Sequence, residues 1–212
     1  MMGQTGAIFL DRDGVINQNR IDHVKSWDEF EFVPGALESI RALTETGLPI
    51  FVVTNQAVIN RGMVSIETLD GIHNRMQAEV RRAGGCITKV YHCPHDNHEA
   101  CTCRKPEPGM LQHAAQEFNI DLRQSYMVGD AWTDVAAGVA VGARSILVLT
   151  GRGRWNFVSS WDRFGLDFAA ACDLQDAVDM IKESLHGNQM SSTARLRSAF
   201  HMALHPETTL VL

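Results

Sequence analysis

The chain has 212 residues, 45% of them apolar and 21% charged, which is too apolar for a disordered chain and too charged for a bundle of membrane helices. Its net charge of −6 leaves no basic footprint for nucleic acid, although it permits a local cationic pocket. No apolar stretch of about 18 residues is present to span a bilayer, and Met1–Leu10 lacks the basic start of a secretory signal, so a cytoplasmic, monomeric protein without membrane or nucleic-acid partners is expected.

Ala7-Ile8-Phe9-Leu10 is a short apolar run ending at Asp11, the pattern of a buried strand. Gly35 to Glu45 then places Ala36, Leu37, Ile40 and Leu43 at helical spacing, with Gly47 as the stop signal. Pro49 to Val53 reads as a second strand. Ile66, Leu69, Ile72, Met76 and Val80 mark one face of a long helix between Ser65 and Gly84-Gly85. Ile87–Tyr91 is expected as a strand, Met110–Phe118 as a helix, Tyr126–Val128 as a strand and Thr133–Val141 as a helix. Ser145–Leu149 closes the series of strands, and Leu174–Leu185 reads as the last helix.

Strands without a polar face, alternating with helices, predict an α/β three-layer sandwich of Rossmann-like form with a mostly parallel central sheet. Ligands of such folds bind beyond the carboxyl ends of the strands. The residues there are Asp11-Arg12-Asp13-Gly14, Thr54-Asn55-Gln56 and Gly129-Asp130 through Asp134, all small, polar or acidic. With Gly14 allowing a sharp turn, Asp11 can enter the cleft as a nucleophile and Asp13 can return as a proton donor. Asp130 adds a third carboxylate from another strand. Three converging carboxylates raise one another's pKa, and Mg²⁺, a hard cation that takes carboxylates, waters and a phosphate oxygen, relieves the conflict.

The order and spacing of these residues resemble the haloacid dehalogenase-type phosphatases. Asp11-Arg12-Asp13-Gly14-Val15 is similar to the family's first motif, Thr54 to its second, Lys105 in Arg104-Lys105-Pro106 to its third, and Gly129-Asp130 with Asp134 to its fourth. The resemblance implies attack of Asp11 on phosphorus to give an aspartyl-phosphate, with Asp13 protonating the leaving oxygen and then activating water. It also implies Mg²⁺ held by Asp11, the Asp13 main-chain carbonyl and Asp130, with Asp134 supporting them from behind. Thr54 and Lys105 suit the phosphate oxygens, one as a directional donor and the other as a point charge.

Cys93, Cys101 and Cys103 fall within eleven residues, alongside His92, His95 and His98. Cys93-Pro94-His95 and Cys101-Thr102-Cys103 form two ligand pairs suited to a closed, structural, tetrahedral Zn²⁺ site, with His92 and His98 as rival ligands. Cys86 and Cys172 lie outside this pattern and are expected as small core residues. The cysteine loop runs directly into Arg104-Lys105-Pro106 and Pro108-Gly109-Met110. That arrangement resembles the capless branch of D,D-heptose 1,7-bisphosphate 7-phosphatases, close to the histidinol-phosphate phosphatase domain. The resemblance, from about residue 7 to residue 185, implies hydrolysis of the 7-phosphate of heptose 1,7-bisphosphate. Histidinol phosphate, or a broad set of sugar phosphates, is the rival substrate. A zinc-stabilised binding module would not need Asp11, Asp13, Lys105 and Asp130 together. Asn55, Arg61 and Arg104 are expected at the sugar. Ala131 departs from relatives that carry a lysine after the fourth-motif aspartate.

Composition shifts toward Asn, Gln, Ser and Gly after His186, which divides the chain into a phosphatase domain (1–187) and a tail (188–212). Leu196, Phe200, Ala203 and Leu204 fall at helical spacing before Pro206. The tail is therefore either a docking helix or a frayed extension; its shortness favours the extension. A chain ending at Gly187 is expected to keep the turnover and melting temperature of the full chain. An insoluble or inactive product would make the tail part of the core or of an interface.

Overall fold

In the computed structural model, which describes residues 5–165 and 167–187, each apolar run of the sequence becomes a strand of one sheet. The strands are β1 (Ile8–Leu10), β2 (Ile50–Asn55), β3 (Lys89–Cys93), β4 (Tyr126–Gly129), β5 (Arg144–Val148) and β6 (Phe168–Ala171). They run in the order β3-β2-β1-β4-β5-β6, and every pairing is parallel. The helices are α1 (Ala36–Thr44), α2 (Ile66–Arg82), α3 (Gly109–Phe118), α4 (Trp132–Ala140), α5 (Gly153–Phe164) and α6 (Leu174–Leu185).

Alternation along the strands divides the core between two faces. Ile8, Leu10, Val52 and Val128 pack with Ile40 of α1, Met76 of α2 and Ile181 of α6. Phe9, Phe51, Val53 and Met127 pack on the opposite side with Leu111 of α3 and Ala137 of α4, while Leu147 meets Val135 of α4 and Phe157 of α5. Helices therefore cover both faces, as a buried parallel sheet requires.

Two elements escape the periodicity reading. Helix α5 buries only Gly153, Phe157 and Ser160, so its apolar stripe is too thin to register, and it opens with the glycines of Gly151-Arg152-Gly153. Strand β6 is Phe-Ala-Ala-Ala, which lacks the β-branched residues that mark a strand. Strand β3 also lies two residues later than expected. Its register with β2 pairs Phe51 with Lys89 and Asn55 with Cys93, which carries Cys93 to the carboxyl edge of the sheet. Cys86 is exposed and Cys172 half-buried, so the expectation of two core cysteines is corrected; in the turn between α2 and β3 it is the neighbouring Ile87 that enters the core while Cys86 faces outward.

The connection from β1 to α1 holds only a 3₁₀ turn, Trp27–Glu29, and the segment from β2 to α2 is shorter still, so neither carries a cap. The first connection is pinned by Trp27 stacked on Phe30 at 5.0 Å and by Phe30 edge-on to Phe32 at 5.1 Å. The chain crosses from one half of the sheet to the other between β3 and β4, so the switch point lies where β1 and β4 run side by side. The tail 188–212 lies outside the described residues.

Candidate active site

At that switch point β1 ends on Asp11 and β4 on Asp130. The turn after β1 is closed by Gly14 donating its N–H to the Asn17 carbonyl at 2.7 Å. Gly14 has φ +87°, and a Cβ there would overlap the Asp130 carboxylate; one at Gly151, φ +53°, would do the same. Two positions that tolerate only glycine thus let two backbone turns close around Asp130.

Asp11, Asp130 and Asp134 are all buried, with one oxygen of each within 4.8 Å of the others. The recorded contacts of Asp11 all fall on Oδ1, from the Arg12 N–H at 2.8 Å and Lys105 Nζ at 2.9 Å. Asp130 Oδ2 accepts from the Arg152 N–H at 2.7 Å, whereas buried Oδ1 has no hydrogen-bond partner and the Arg152 guanidinium stands 3.5 Å away. An unpartnered, buried carboxylate oxygen beside two further carboxylates is a donor set that fits a small, hard divalent cation. Asp134 is committed elsewhere: Oδ2 caps α4 through the Ala131 N–H at 3.0 Å, and Oδ1 meets Lys105 Nζ at 2.6 Å.

Lys105 is buried and spends its donors on Asp11, Asp134 and the Val53 carbonyl at 2.7 Å. It therefore acts on the site through its charge. Asn55, expected at the sugar, clamps the Lys105 backbone: its amide donates to the Lys105 carbonyl at 2.9 Å and its oxygen accepts from the Lys105 N–H at 3.0 Å. Thr54 is buried at the end of β2. The Gln56 amide donates to Thr54 Oγ1 and to Asp13 Oδ2, both at 2.8 Å, so the Thr54 hydroxyl keeps its own proton free for an incoming oxygen.

Asp13 is gripped from three sides. Arg12 Nη2 donates to both its oxygens at 2.8 and 2.9 Å, Asn17 to Oδ1 at 2.9 Å and Gln56 to Oδ2. Burial works to raise its pKa, but the Arg12 charge and these hydrogen bonds outweigh it, and the net direction is downward. Asp11 and Asp130 move the other way. Burial lifts Asp11 to about 6 against the pull of Lys105, and burial together with the Asp11 charge lifts Asp130 to about 7. Arg12, Asn17 and Gln56 carry no assigned role in the sequence reading, although Arg12 and Gln56 stand within its polar strand ends and Asn17 follows Val15-Ile16.

Beside this corner, Cys93, His95, Cys101 and Cys103 converge. Their sulfurs lie 3.1 to 3.8 Å apart, and His95 Nδ1 lies 3.4 Å from Cys93 and 3.3 Å from Cys103. Tetrahedral Zn²⁺ with bonds of about 2.3 Å to sulfur and about 2.0 Å to nitrogen has ligand–ligand edges of this size. Burial pushes the Cys93 and Cys103 thiols upward, so a cation is what would keep both as thiolates. His98 is exposed, and His92 lies with Asp70 and His73, so neither joins the four. The loop between Cys93 and Lys105 forms one wall of a cavity of about 1100 Å³ that reaches down to Asp13 and Lys105. Arg20, Arg61, Arg104 and Arg152 also line it, with Trp132 and Trp155 from α4 and α5. Arg61 is neutralised by a two-pronged pair with Asp96 at 2.7 Å. Arg104 bonds only neutral oxygens, of Asn97 and His95, and stays available to an anion.

Buried carboxylates at a sheet switch point, a buried lysine and a cavity lined by arginines suit an enzyme of phosphoryl transfer. Residues 102–163 match the family described as HAD-hydrolase-like. The chain is 44% identical over 147 residues to D-glycero-beta-D-manno-heptose-1,7-bisphosphate 7-phosphatase of Neisseria meningitidis, covering 69% of this chain and 79% of that one. It is 41% identical over 146 residues to the protein of that name from Pseudomonas putida, over 69% and 83% of the two chains. Among solved structures, D,D-heptose 1,7-bisphosphate phosphatase from B. bronchiseptica, complexed with magnesium and phosphate, superposes with a TM-score of 0.80 at 33% identity, over 85% of this chain and 99% of that one. The chain belongs to the HAD hydrolase family and is a phosphoric monoester hydrolase.

A carboxylate raised by folding keeps a proton that the unfolded chain releases near pH 4, so its contribution to stability is present at low pH and is lost as pH rises through the folded value. In chelator, therefore, the wild type is expected to lose stability relative to Asp130→Asn as pH climbs from about 4 through about 7, by up to about 4 kcal/mol. Chemical denaturation across that range measures it, and a pH-independent difference contradicts the charge arrangement.

Proposed function

We propose that this enzyme hydrolyses the 7-phosphate of D-glycero-D-manno-heptose 1,7-bisphosphate through an aspartyl-phosphate, with Mg²⁺ at the carboxylates and structural Zn²⁺ at the cysteine loop. The observation that carries the chemistry is buried Asp11, paired through Oδ1 with Lys105, directly behind Asp13 and Lys105 where these line a cavity rich in arginine. The names of the relatives, given for the beta anomer, carry the substrate.

In the first step Asp11 Oδ2 forms a bond to phosphorus as the bond to the sugar oxygen breaks, and Asp13 hands that oxygen a proton. Asp13 is ionised at rest under the grip of Arg12. The proton therefore arrives with the substrate, since a phosphate monoester with a second ionisation near 6 still carries one close to neutral pH. In the second step Asp13 takes a proton from water, whose oxygen attacks phosphorus and releases phosphate from Asp11. Thr54 donates to a phosphoryl oxygen, and Lys105 holds Asp11 in line while offsetting charge. Mg²⁺, bound by Asp11, the Asp13 main-chain carbonyl and Asp130, supplies further neutralisation of the phosphoryl oxygens. The zinc loop sets Arg104 and Lys105, one facing the distal part of the substrate and the other the reacting part. Arginines on several sides of the cavity favour a second phosphate over the amine of histidinol phosphate.

Rates on both anomers of the heptose bisphosphate, on histidinol phosphate and on simple sugar monophosphates test the substrate. The beta bisphosphate is expected to give the highest kcat/KM, and Arg104→Ala to lower it for bisphosphates more than for monophosphates. Histidinol phosphate as the best substrate overturns the assignment. Asp11→Asn is expected to lose several orders of magnitude in turnover on an intact fold; more than a few per cent of residual activity removes Asp11 as nucleophile. Protein purified without added zinc should carry about one Zn²⁺ per chain, and Cys103→Ser should lower both melting temperature and activity. Unchanged melting and full activity of that variant exclude the zinc role.

A further inference from the structure

The mechanism leaves a buried histidine without a task. His73, in the middle of α2, is 4% exposed, and Arg12 behind Asp13 is fully buried. His73 Nε2 lies 3.1 Å from Arg12 Nη1, while Arg12 turns Nη2 and Nε to Asp13. A guanidinium has donors only and stays protonated. The ring nitrogen that faces it must therefore accept, which fixes His73 as the neutral tautomer with its proton on Nδ1. The surroundings agree: burial and the Arg12 charge drive the His73 pKa down to about 3. Asp70 and His92 sit beside His73, but with Nε2 given to Arg12 and Nδ1 protonated the ring has no lone pair left for a cation.

We propose that His73 is a positioning residue for the phosphatase reaction, a neutral acceptor in the core that fixes the orientation of Arg12, whose fork in turn aims the Asp13 carboxylate into the cleft. This rests on the reading of Asp13 as the group that exchanges the proton. Arg12 has no other recorded side-chain partner than Asp13 and His73 among the described residues. Without the acceptor its Nη1 is a buried donor with nothing to bond, and the guanidinium can turn to seek one. Asp13 then loses its two-pronged alignment, while the Thr54 hydroxyl, the Arg104 guanidinium and the charge of Lys105 stay as they were. Turnover should suffer and substrate affinity should not.

Three variants of the full-length enzyme, assayed on one sugar phosphate with Mg²⁺, test this. His73→Leu removes the acceptor and keeps the bulk. His73→Gln places a carbonyl near the former Nε2, and His73→Asn is a shorter amide that does not reach Arg12. The expected result is a kcat about tenfold or more lower in the Leu and Asn variants with KM within about twofold, and recovery to within about threefold of wild type in the Gln variant. Wild-type kcat in His73→Leu overturns the proposal, as does equal impairment of the Asn and Gln variants; the Asn and Gln pair decides the matter if the Leu variant does not fold. Asp13→Asn, run alongside, separates the two readings. If it stays active the proton-exchange role of Asp13 fails, whereas an inactive Asp13→Asn with a fully active His73→Leu removes only the role of His73.

Discussion

Too much negative charge in a dry corner is the constraint on which this structure turns. Four carboxylates, those of Asp11, Asp13, Asp130 and Asp134, converge on two fully buried cations, Arg12 and Lys105, with Arg152 at the margin. Removing a carboxylate from water is costly unless it is paired or neutralised. The fold divides the charge unequally. Arg12 is given to Asp13, Lys105 is shared between Asp11 and Asp134, and Asp130 is left with an oxygen that nothing bonds. That remainder is what a divalent ion and a phosphoryl group together would complete. The same imbalance explains why neighbouring carboxylates titrate in opposite directions, Asp13 downward and Asp11 and Asp130 upward.

The parallel sheet makes the crowding possible. Three helices on each face bury the strands, and only the carboxyl ends are free to present polar side chains. Glycines permit the close approach to Asp130: Gly14 and Gly151 both press against it from loops that follow different strands. Arg152, from the turn ahead of α5, brings a guanidinium to the same carboxylate, at a position that also lines the cavity.

Apolar runs and their polar ends made most of the sheet and the segments at Asp11, Thr54 and Asp130 legible in the sequence, because a buried strand and its polar end both leave local marks, whereas Lys105 was marked only by the family resemblance. Elements with weak local marks were lost. The alanines of β6 and the thin stripe of α5 acquire their structure from tertiary packing rather than from propensity. In the site, residue types pointed to Asp11, Asp13, Asp130 and the cysteine loop, whose short spacing is itself the signal. What a residue's bonds are spent on did not show. Asn55 and Arg61, expected as sugar contacts, both line the cavity, and the sequence did not show that one also clamps the Lys105 backbone and the other pairs with Asp96. Gln56 and His73 act across dozens of residues of sequence, and such partnerships exist only once the strands are in register.

The cysteine loop and the carboxylate corner meet at Lys105: the loop leads into it, Asn55 fixes its backbone, and its ammonium bridges Asp11 and Asp134. Charge balance there is the central claim, and calorimetric titration of Mg²⁺ into the metal-free enzyme near neutral pH, in two buffers of different ionisation enthalpy, tests it most directly. The account predicts one ion per chain, bound with net release of protons from the raised carboxylates, and loss of that binding in Asp130→Asn. Binding without proton release, or binding that Asp130→Asn leaves unchanged, would contradict it.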